Sequence, residues 1–359
     1  MSTGTATPTI DETKLGEFLG RFVGDLGAAM SAPLVVIGDR LGLYRAIAEH
    51  GPLTPAELAA HTGCDERYLT EWLSAQAAGG YVDYDGSTGR FSLAAEQAYA
   101  LADEDSPAFV PGGLEIAMSV ARDADAIAEA FRTGDGLAWH NHDHHLFHGV
   151  DRFFRPNYLG NLVDSWLPAL DGVEAKLTTG CRAADIGCGF GSSTVIMAEA
   201  YPASTFDGFD YHDRSIDAAR KRATDAGLTG RVSFEVLAGT DVPRRGYDLA
   251  TLFDCLHDMG DPLACLTRIR EALAPDGTVM IVEPLAGDRL VDNLNPVGRV
   301  YYAASTLICT PSARSQHGPV ELGAQAGEAR VRAIAEEAGF TRWRRAAETP
   351  FNAVYEARP

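Results

Sequence analysis

Along the first half of the chain the apolar positions fall mostly at helical spacing. Leu15, Phe18, Leu19, Phe22, Val23 and Leu26 recur at intervals of three and four, which predicts a helix from Leu15 to Met30. Pro33 is expected to open a second helix, with Leu34, Ile37, Leu41, Tyr44 and Ile47 on one side and Gly51 as its stop. Thr54-Pro55-Ala56-Glu57 reads as a capping box with proline at the first helical position, and that helix should end near Gly63. Asp65 caps the next, Glu66 to Ala78, which Gly79-Gly80 terminates. Tyr81 to Tyr84 and Arg90 to Leu93, around a turn from Asp85 to Gly89, predict a β-hairpin. Helices should follow from Ala94 to about Arg132, broken at Pro111-Gly112-Gly113. An aromatic helix from Asp151 to Leu167 carries Phe153, Phe154, Tyr158, Leu162 and Trp166.

From Cys181 the pattern changes to alternating strand and helix, as a parallel sheet requires. Strands are expected near 182–187, 204–210, 231–237, 247–253 and 277–283, and helices near 191–201, 213–227, 261–274 and 326–338. Two last strands, near 340–347 and 350–357, have only Thr349-Pro350 between them. No crossover helix fits there, so they must pair antiparallel. The fold class is therefore α/β, with a Rossmann-like, seven-stranded sheet whose last strand is antiparallel, behind a mostly helical N-terminal domain. The expected boundaries are a polar tail over 1–12, the N-terminal domain over 13–110, a helical linker and pocket region over 111–175, and the α/β domain over 176–359.

Helix, helix and hairpin in that order form a winged-helix pattern, which serves either DNA binding or dimerisation. The helix that would enter a groove carries Glu66 and Glu71 against one base, Arg67, which favours dimerisation. The formal charge of −20 agrees, because such a surface repels nucleic-acid backbones and anionic membranes. A homodimer with no nucleic-acid or membrane partner is expected. The six cysteines are scattered without a C-x-x-C pair and read as reduced thiols in the cytoplasm. No apolar run reads as long enough to span a membrane.

The chemistry concentrates at Asp185-Ile186-Gly187-Cys188-Gly189-Phe190-Gly191, where a buried strand meets a helix. Alternate glycines let the backbone turn sharply and bring its N–H groups near a ligand. A dinucleotide loop needs G-x-G-x-x-G, and here the third glycine comes one residue early. A carboxylate at Asp185 is a poor neighbour for a pyrophosphate and a good one for a ligand carrying an ammonium and a sulfonium. The run D-x-G-x-G-x-G resembles motif I of the class I S-adenosylmethionine-dependent methyltransferases. The resemblance covers 181–357 well and 14–110 loosely. It extends to small-molecule O-methyltransferases with a winged-helix dimerisation domain, and to actinobacterial, including mycobacterial, methyltransferases of uncertain substrate.

That resemblance implies S-adenosyl-L-methionine as cofactor, held by Asp185, Gly187, Cys188, Gly189, Gly191, Asp210, Tyr211, Gly239, Thr240, Asp241, Phe253 and Asp254. Asp210 would take the ribose hydroxyls and Tyr211 would lie against the adenine. Leu256-His257-Asp258-Met259 resembles the Leu-His-Asp-Trp loop of the O-methyltransferases, with methionine for tryptophan. It implies His257 as general base, oriented by Glu283 or Asp258. Five of the ten histidines lie between His140 and His148. On one helix His140, His144 and His148 would share a face and suit a metal, but no cysteine or paired zinc spacing accompanies them. No metal is expected, and the cluster reads as a pocket wall or a solvated turn. The acceptor pocket is expected from Trp139, His142, His145, Phe153 and Phe154, with Tyr302 and Gln316 from the long insertion Leu285–Gln325. The expected function is transfer of a methyl group to a small molecule, most directly to oxygen. Nitrogen, carbon or sulfur acceptors, and a cofactor-sensing winged-helix regulator, stay open as alternatives.

Overall fold

The computed structural model describes residues 10–359, so most of the tail expected over 1–12 lies outside the described residues. The chain divides into two compact units, Met1–Glu104 with Phe109–Met118, and Asp105–Ala108 with Ser119–Pro359.

The first unit opens with α1 (Glu12–Arg40), capped by the Asp11 carboxylate, which accepts from the Thr13 and Lys14 N–H groups. Two helices were expected here, yet Pro33 lies inside a single one. The carbonyl that Pro33 deprives of a partner belongs to Ala29, which is exposed, so water can replace the lost bond. The chain turns instead at Gly42, which adopts φ +68°, and α2 (Leu43–His50) follows. Next come α3 (Pro55–Thr62), α4 (Glu66–Ala78), the hairpin β1 (Asp83–Asp85) and β2 (Arg90–Ser92), and α5 (Ala95–Leu101). The capping box at Thr54 and Glu57 forms, and Asp65 caps α4. A core of Val35, Leu43, Tyr44, Ile47, Leu58, Leu69, Trp72, Leu73 and Phe91 joins them. Trp72 reaches so close to α1 that a Cβ on Gly38 would stand 2.3 Å from its ring. On α4 the one base, Arg67, is spent on Glu71 at 2.5 Å.

Only the last turns of α1 join that core. Phe18, Phe22, Val23, Leu26 and Met30 are each at least half exposed, and form an apolar stripe. By length and composition α1 is also apolar enough to cross a membrane, contrary to the expectation from sequence. Its C-terminal turns, however, bury Ala32, Val35 and Val36 in protein.

Pro111 heads α6 (Pro111–Val120) rather than breaking a helix, as a residue without an N–H does best at a first turn. In the second unit α7 (Ala124–Thr133), a 3₁₀ turn Trp139–Asn141, α8 (His145–Asn161) and α9 (Val173–Thr179) precede the sheet. Strands and helices then alternate: β3 (Arg182–Ile186), α10 (Ser192–Ala200), β4 (Thr205–Asp210), α11 (Asp213–Asp225), β5 (Val232–Val236), β6 (Tyr247–Phe253), α12 (Pro262–Ala272) and β7 (Leu273–Pro284). The insertion holds α13 (Pro296–Ala304), a π-helical turn Ser305–Cys309 and α14 (Thr310–Ser315), and α15 (Glu328–Glu337), β8 (Arg342–Glu348) and β9 (Asn352–Arg358) close the chain.

The seven strands lie in the order β5-β4-β3-β6-β7-β9-β8. β9 runs antiparallel to both its neighbours and the other pairs are parallel. Period-two alternation sorts the strand residues onto two cores. Ala183, Leu249, Met280, Val282 and Val354 face Trp166, Leu177 and Met197; Ala184, Ile186, Leu252, Val279 and Tyr355 face Leu266, Ile269 and Phe340. A sheet covered on both faces leaves only the strand ends open for ligands.

All three loop glycines take positive φ, at +70° for Gly187, +52° for Gly189 and +75° for Gly191. A Cβ on Gly191 would meet Phe234 at 2.8 Å and Ala219 at 2.9 Å, whereas one on Gly189 would meet nothing within 4 Å. Gly191→Ala should therefore destabilise the protein by roughly 2–4 kcal/mol, and Gly189→Ala by only about 1–2 kcal/mol. Urea unfolding midpoints of the two variants compare them directly.

Candidate active site

Asp185 ends β3 beneath the glycine loop, 1% exposed. Ser193 and Thr194 of α10 donate to its Oδ2 at 2.7 and 2.6 Å, and Thr251 of β6 donates to its Oδ1 at 3.0 Å. Burial, only partly offset by these hydroxyls, raises its pKa to about 6. The carboxylate thus ties strand, neighbouring strand and helix start together, and lies below the open face of the loop. On that face Gly187 N–H donates to Phe209 O at 2.7 Å and Gly189 N–H to Asp210 Oδ2 at 3.0 Å. Asp210, at the carboxyl end of β4, also accepts from His212 N–H at 2.8 Å, and burial raises its pKa.

A second device holds the loop from outside. Arg222 of α11 makes a two-pronged ion pair with Asp151 of α8, at 2.9 and 2.6 Å, and donates to Phe190 O at 2.9 Å. Ser192 at the start of α10 donates to the same Asp151 at 2.6 Å. No motif in the sequence marks this clamp, because its members come from three separate helices.

The carboxyl ends of β6 and β7 carry the reactive groups. His257 lies in a 3₁₀ turn after β6 and is 4% exposed. Its Nδ1 stands 2.5 Å from Glu283 Oε2, and its Nε2 stands 3.2 Å from Asp258 Oδ1 without hydrogen-bond geometry. Burial is the largest influence on His257 and disfavours its charged form. The carboxylates of Glu283 and Asp258 outweigh it, so the imidazole pKa lies well above the usual value. Burial raises the pKa of Asp258, and raises that of Asp254 strongly. Asp254 adopts φ +49° and accepts from Asn352 at 2.7 Å. Asp254 Oδ2, Asp258 Oδ1, Glu283 Oε1 and His142 Nε2 are all buried without a hydrogen-bond partner among the described residues. Orphaned polar atoms converging at strand ends, beside a glycine with open space, fit a polar ligand seated there.

The other expected residues separate into those that converge and those that do not. Tyr211 is 42% exposed and reaches the Trp139 backbone and Ser312. Trp139 packs on Phe147 at 5.4 Å, and Phe147 on His212 at 4.5 Å. His142 is 5% exposed, with Nδ1 2.8 Å from Asp123 Oδ2. Tyr302 OH lies 3.5 Å from Asn293 Nδ2. Gln316 donates to Asp258 O at 2.8 Å and accepts from Gly260 N–H, so it braces the His257 loop. Gly239 packs against Cys265 and Ile186, with Thr240 and Asp241 exposed beside it. Cys188, Phe253 and Phe154 belong to the hydrophobic core, Phe253 against Tyr158 and Trp166, and Phe153 packs on Phe154. His145 is engaged by Asp143 and Arg122. The histidines do not form a helical row, because His140 lies in the 3₁₀ turn and α8 starts only at His145. Cys309, Asp123 and Asn352 join the site with no local signal in the sequence.

Residues 177–339 match the methyltransferase domain family, and residues 29–103 match the Rv2258c-like winged HTH domain. Among curated relatives, the mitomycin biosynthesis 6-O-methyltransferase of Streptomyces lavendulae is 26% identical over 74% of this chain and 77% of its own length. The trans-aconitate 2-methyltransferase of Rhizobium leguminosarum is 32% identical, but over 29% of this chain and only 38% of that enzyme. The solved structure of human N-acetylserotonin methyltransferase in complex with SAM shares the fold, with a TM-score of 0.70 at 17% identity, covering 100% of this chain and 99% of that one. The chain carries a methyltransferase domain that follows a winged-helix domain.

Because the folded pKa of Asp185 lies above the ordinary carboxylate value near 4, its contribution to stability is present at low pH and lost as pH rises through about 6. Asp185→Asn should remove this dependence. A stability profile from pH 4 to 7 should rise toward acid by about 3 kcal/mol less in the variant, at about 1.4 kcal/mol per pKa unit.

Proposed function

We propose that this chain transfers a methyl group from S-adenosylmethionine to a hydroxyl of a small molecule, with His257 as general base. When bound, the cofactor supplies a methyl group on sulfur, activated because a neutral thioether leaves. The observation that carries the reading is the His257–Glu283 pair. Glu283 accepts a hydrogen bond from His257 Nδ1–H at 2.5 Å, which leaves Nε2 as the basic nitrogen. The two carboxylates beside it make that nitrogen a stronger base than a free imidazole, closer to the acidity of a phenol. In this reading Asp210 holds the ribose hydroxyls, Tyr211 flanks the adenine, and Asp185 acts indirectly by fixing the loop. Trp139, His142 and Tyr302 border the acceptor. The mitomycin relative, named as an O-methyltransferase, supports oxygen as the acceptor atom.

Methyl-labelled S-adenosylmethionine incubated with the protein and fractionated cell extract tests the substrate class. Label should enter the small, organic-extractable pool on oxygen. Label on nitrogen, carbon or sulfur replaces the acceptor atom, and label in protein or nucleic acid refutes the reading. His257→Gln should lower turnover about 10²–10⁴-fold with cofactor affinity unchanged. In the wild type the acid limb of the rate profile should lie above about pH 6.5. Glu283→Gln removes a carboxylate that favours the imidazolium, so that limb should move to lower pH as turnover falls.

The same proposal includes a homodimer through α1, whose stripe of Phe18, Phe22, Val23, Leu26 and Met30 has no cover in its own unit. Light scattering should give a dimer for the wild type and a monomer for the Phe22→Asp, Leu26→Asp double variant. The six cysteines are free thiols, which supports a reducing compartment such as the cytoplasm.

A further inference from the structure

The ring nitrogen of His257, a carboxylate oxygen of Asp258 and the thiol of Cys309 all lie within 4.8 Å of one another. Cys309 ends the π-helical turn Ser305–Cys309, and irregular turns of this kind recur at functional sites. His257 and Cys309 are 4% and 6% exposed. Cys309 hydrogen-bonds with both neighbours, yet Asp258 Oδ1 has no hydrogen-bond partner although His257 Nε2 is only 3.2 Å away.

Two independent features point to a ligand between them. Both nearby histidines have Nδ1 fixed on a carboxylate, His257 on Glu283 at 2.5 Å and His142 on Asp123 at 2.8 Å. That arrangement orients Nε2 outward, and it is how proteins hold the imidazoles that bind metal. His142 Nε2 is buried with no partner, and the residue is close enough that its charge acts on Asp258. We propose that His257, Asp258 and Cys309 form a three-donor site for a divalent cation of borderline softness such as Zn²⁺. Occupation takes Nε2 of His257 away from proton transfer, so the metal-bound protein is the inactive form.

The geometry suits the ion. Zinc bonds of about 2.0–2.3 Å in a tetrahedron place neighbouring donors roughly 3.3–3.8 Å apart, close to the 3.2 Å between His257 Nε2 and Asp258 Oδ1. A histidine, a carboxylate and a thiolate form a donor set that zinc accepts, and an open fourth position is one that zinc tolerates. The Cys309 thiol releases its proton to solvent as the cation binds. The exposed trio Asp143, His144 and His145 differs, because Arg122 Nη1 already fills it, 2.9 Å from both Asp143 Oδ1 and His145 Nδ1.

The test reads the metal alone and does not depend on methyl transfer. Cobalt(II) is titrated into the full chain after chelator treatment, and the absorption spectrum is recorded. A thiolate-to-cobalt charge-transfer band with the visible bands of a tetrahedral ion should saturate at one equivalent, and Zn²⁺ should displace it. Cys309→Ser, nearly isosteric, should lose the charge-transfer band with its circular dichroism unchanged. Glu283→Gln should keep the band and weaken binding by about tenfold or more. Absence of the band in the wild type, or its survival in Cys309→Ser, would overturn the site. Loss of methyl transfer on adding Zn²⁺ to the wild type, but not to Cys309→Ser, would establish the inhibition; equal sensitivity in both would refute it.

Discussion

A carboxylate taken out of water fixes the geometry on which the rest depends. Asp185 gathers three hydroxyls from α10 and β6, and each is short enough to be a strong, charge-assisted bond. Breaking any one leaves a buried charge under-solvated, so the start of α10 has little freedom relative to the ends of β3 and β6. The glycine loop is strung between these fixed points, and the clamp of Arg222 and Asp151 closes it from the other side. The backbone N–H groups of the loop are thereby pre-positioned before any ligand arrives.

The same economy of water creates the chemistry at the neighbouring strand ends. Asp254, Asp258 and Glu283 gather there with one imidazole between the last two, and several of their oxygens have no partner. A region so rich in negative charge favours a cation. The sulfonium of the methyl donor is one such cation, and a divalent metal is another. In the proposed reading a bound sulfonium would lower the proton affinity of His257, and a bound metal would occupy its Nε2. One electrostatic setting thus accounts for both the base proposed here and the means of silencing it.

The two units divide the work of burial differently. The sheet is covered on both faces, and its two cores leave the strand ends as the place where polar groups can gather. The winged-helix unit has a smaller core and spends only the last turns of α1 on it, leaving an apolar stripe over the rest. A helix gains most of its stability from packing of an apolar face, and the exposed part of this 29-residue helix makes no such packing within its unit among the described residues.

The sequence alone determined the order of strands and helices, since period-two and period-three-to-four patterns report local geometry. It also marked the glycine loop and the pairing of β8 with β9, because a link too short for a crossover helix admits one topology. His257, Asp258 and Glu283 were legible through the resemblance of the Leu256–Met259 loop to that of the O-methyltransferases, and the sheet brings them side by side at the ends of two strands. What it could not give came from distance in the chain. Pro33 lies inside α1, where the Ala29 carbonyl it leaves without a helical partner is exposed, a property of the fold. Phe253 and Cys188 carried motif positions, yet packing drew their side chains into the core. Cys309, Asp123 and Arg222 carry no signature at all. Their roles arise only when helices far apart in sequence fold over the same strand ends, where burial makes each polar atom depend on its neighbour.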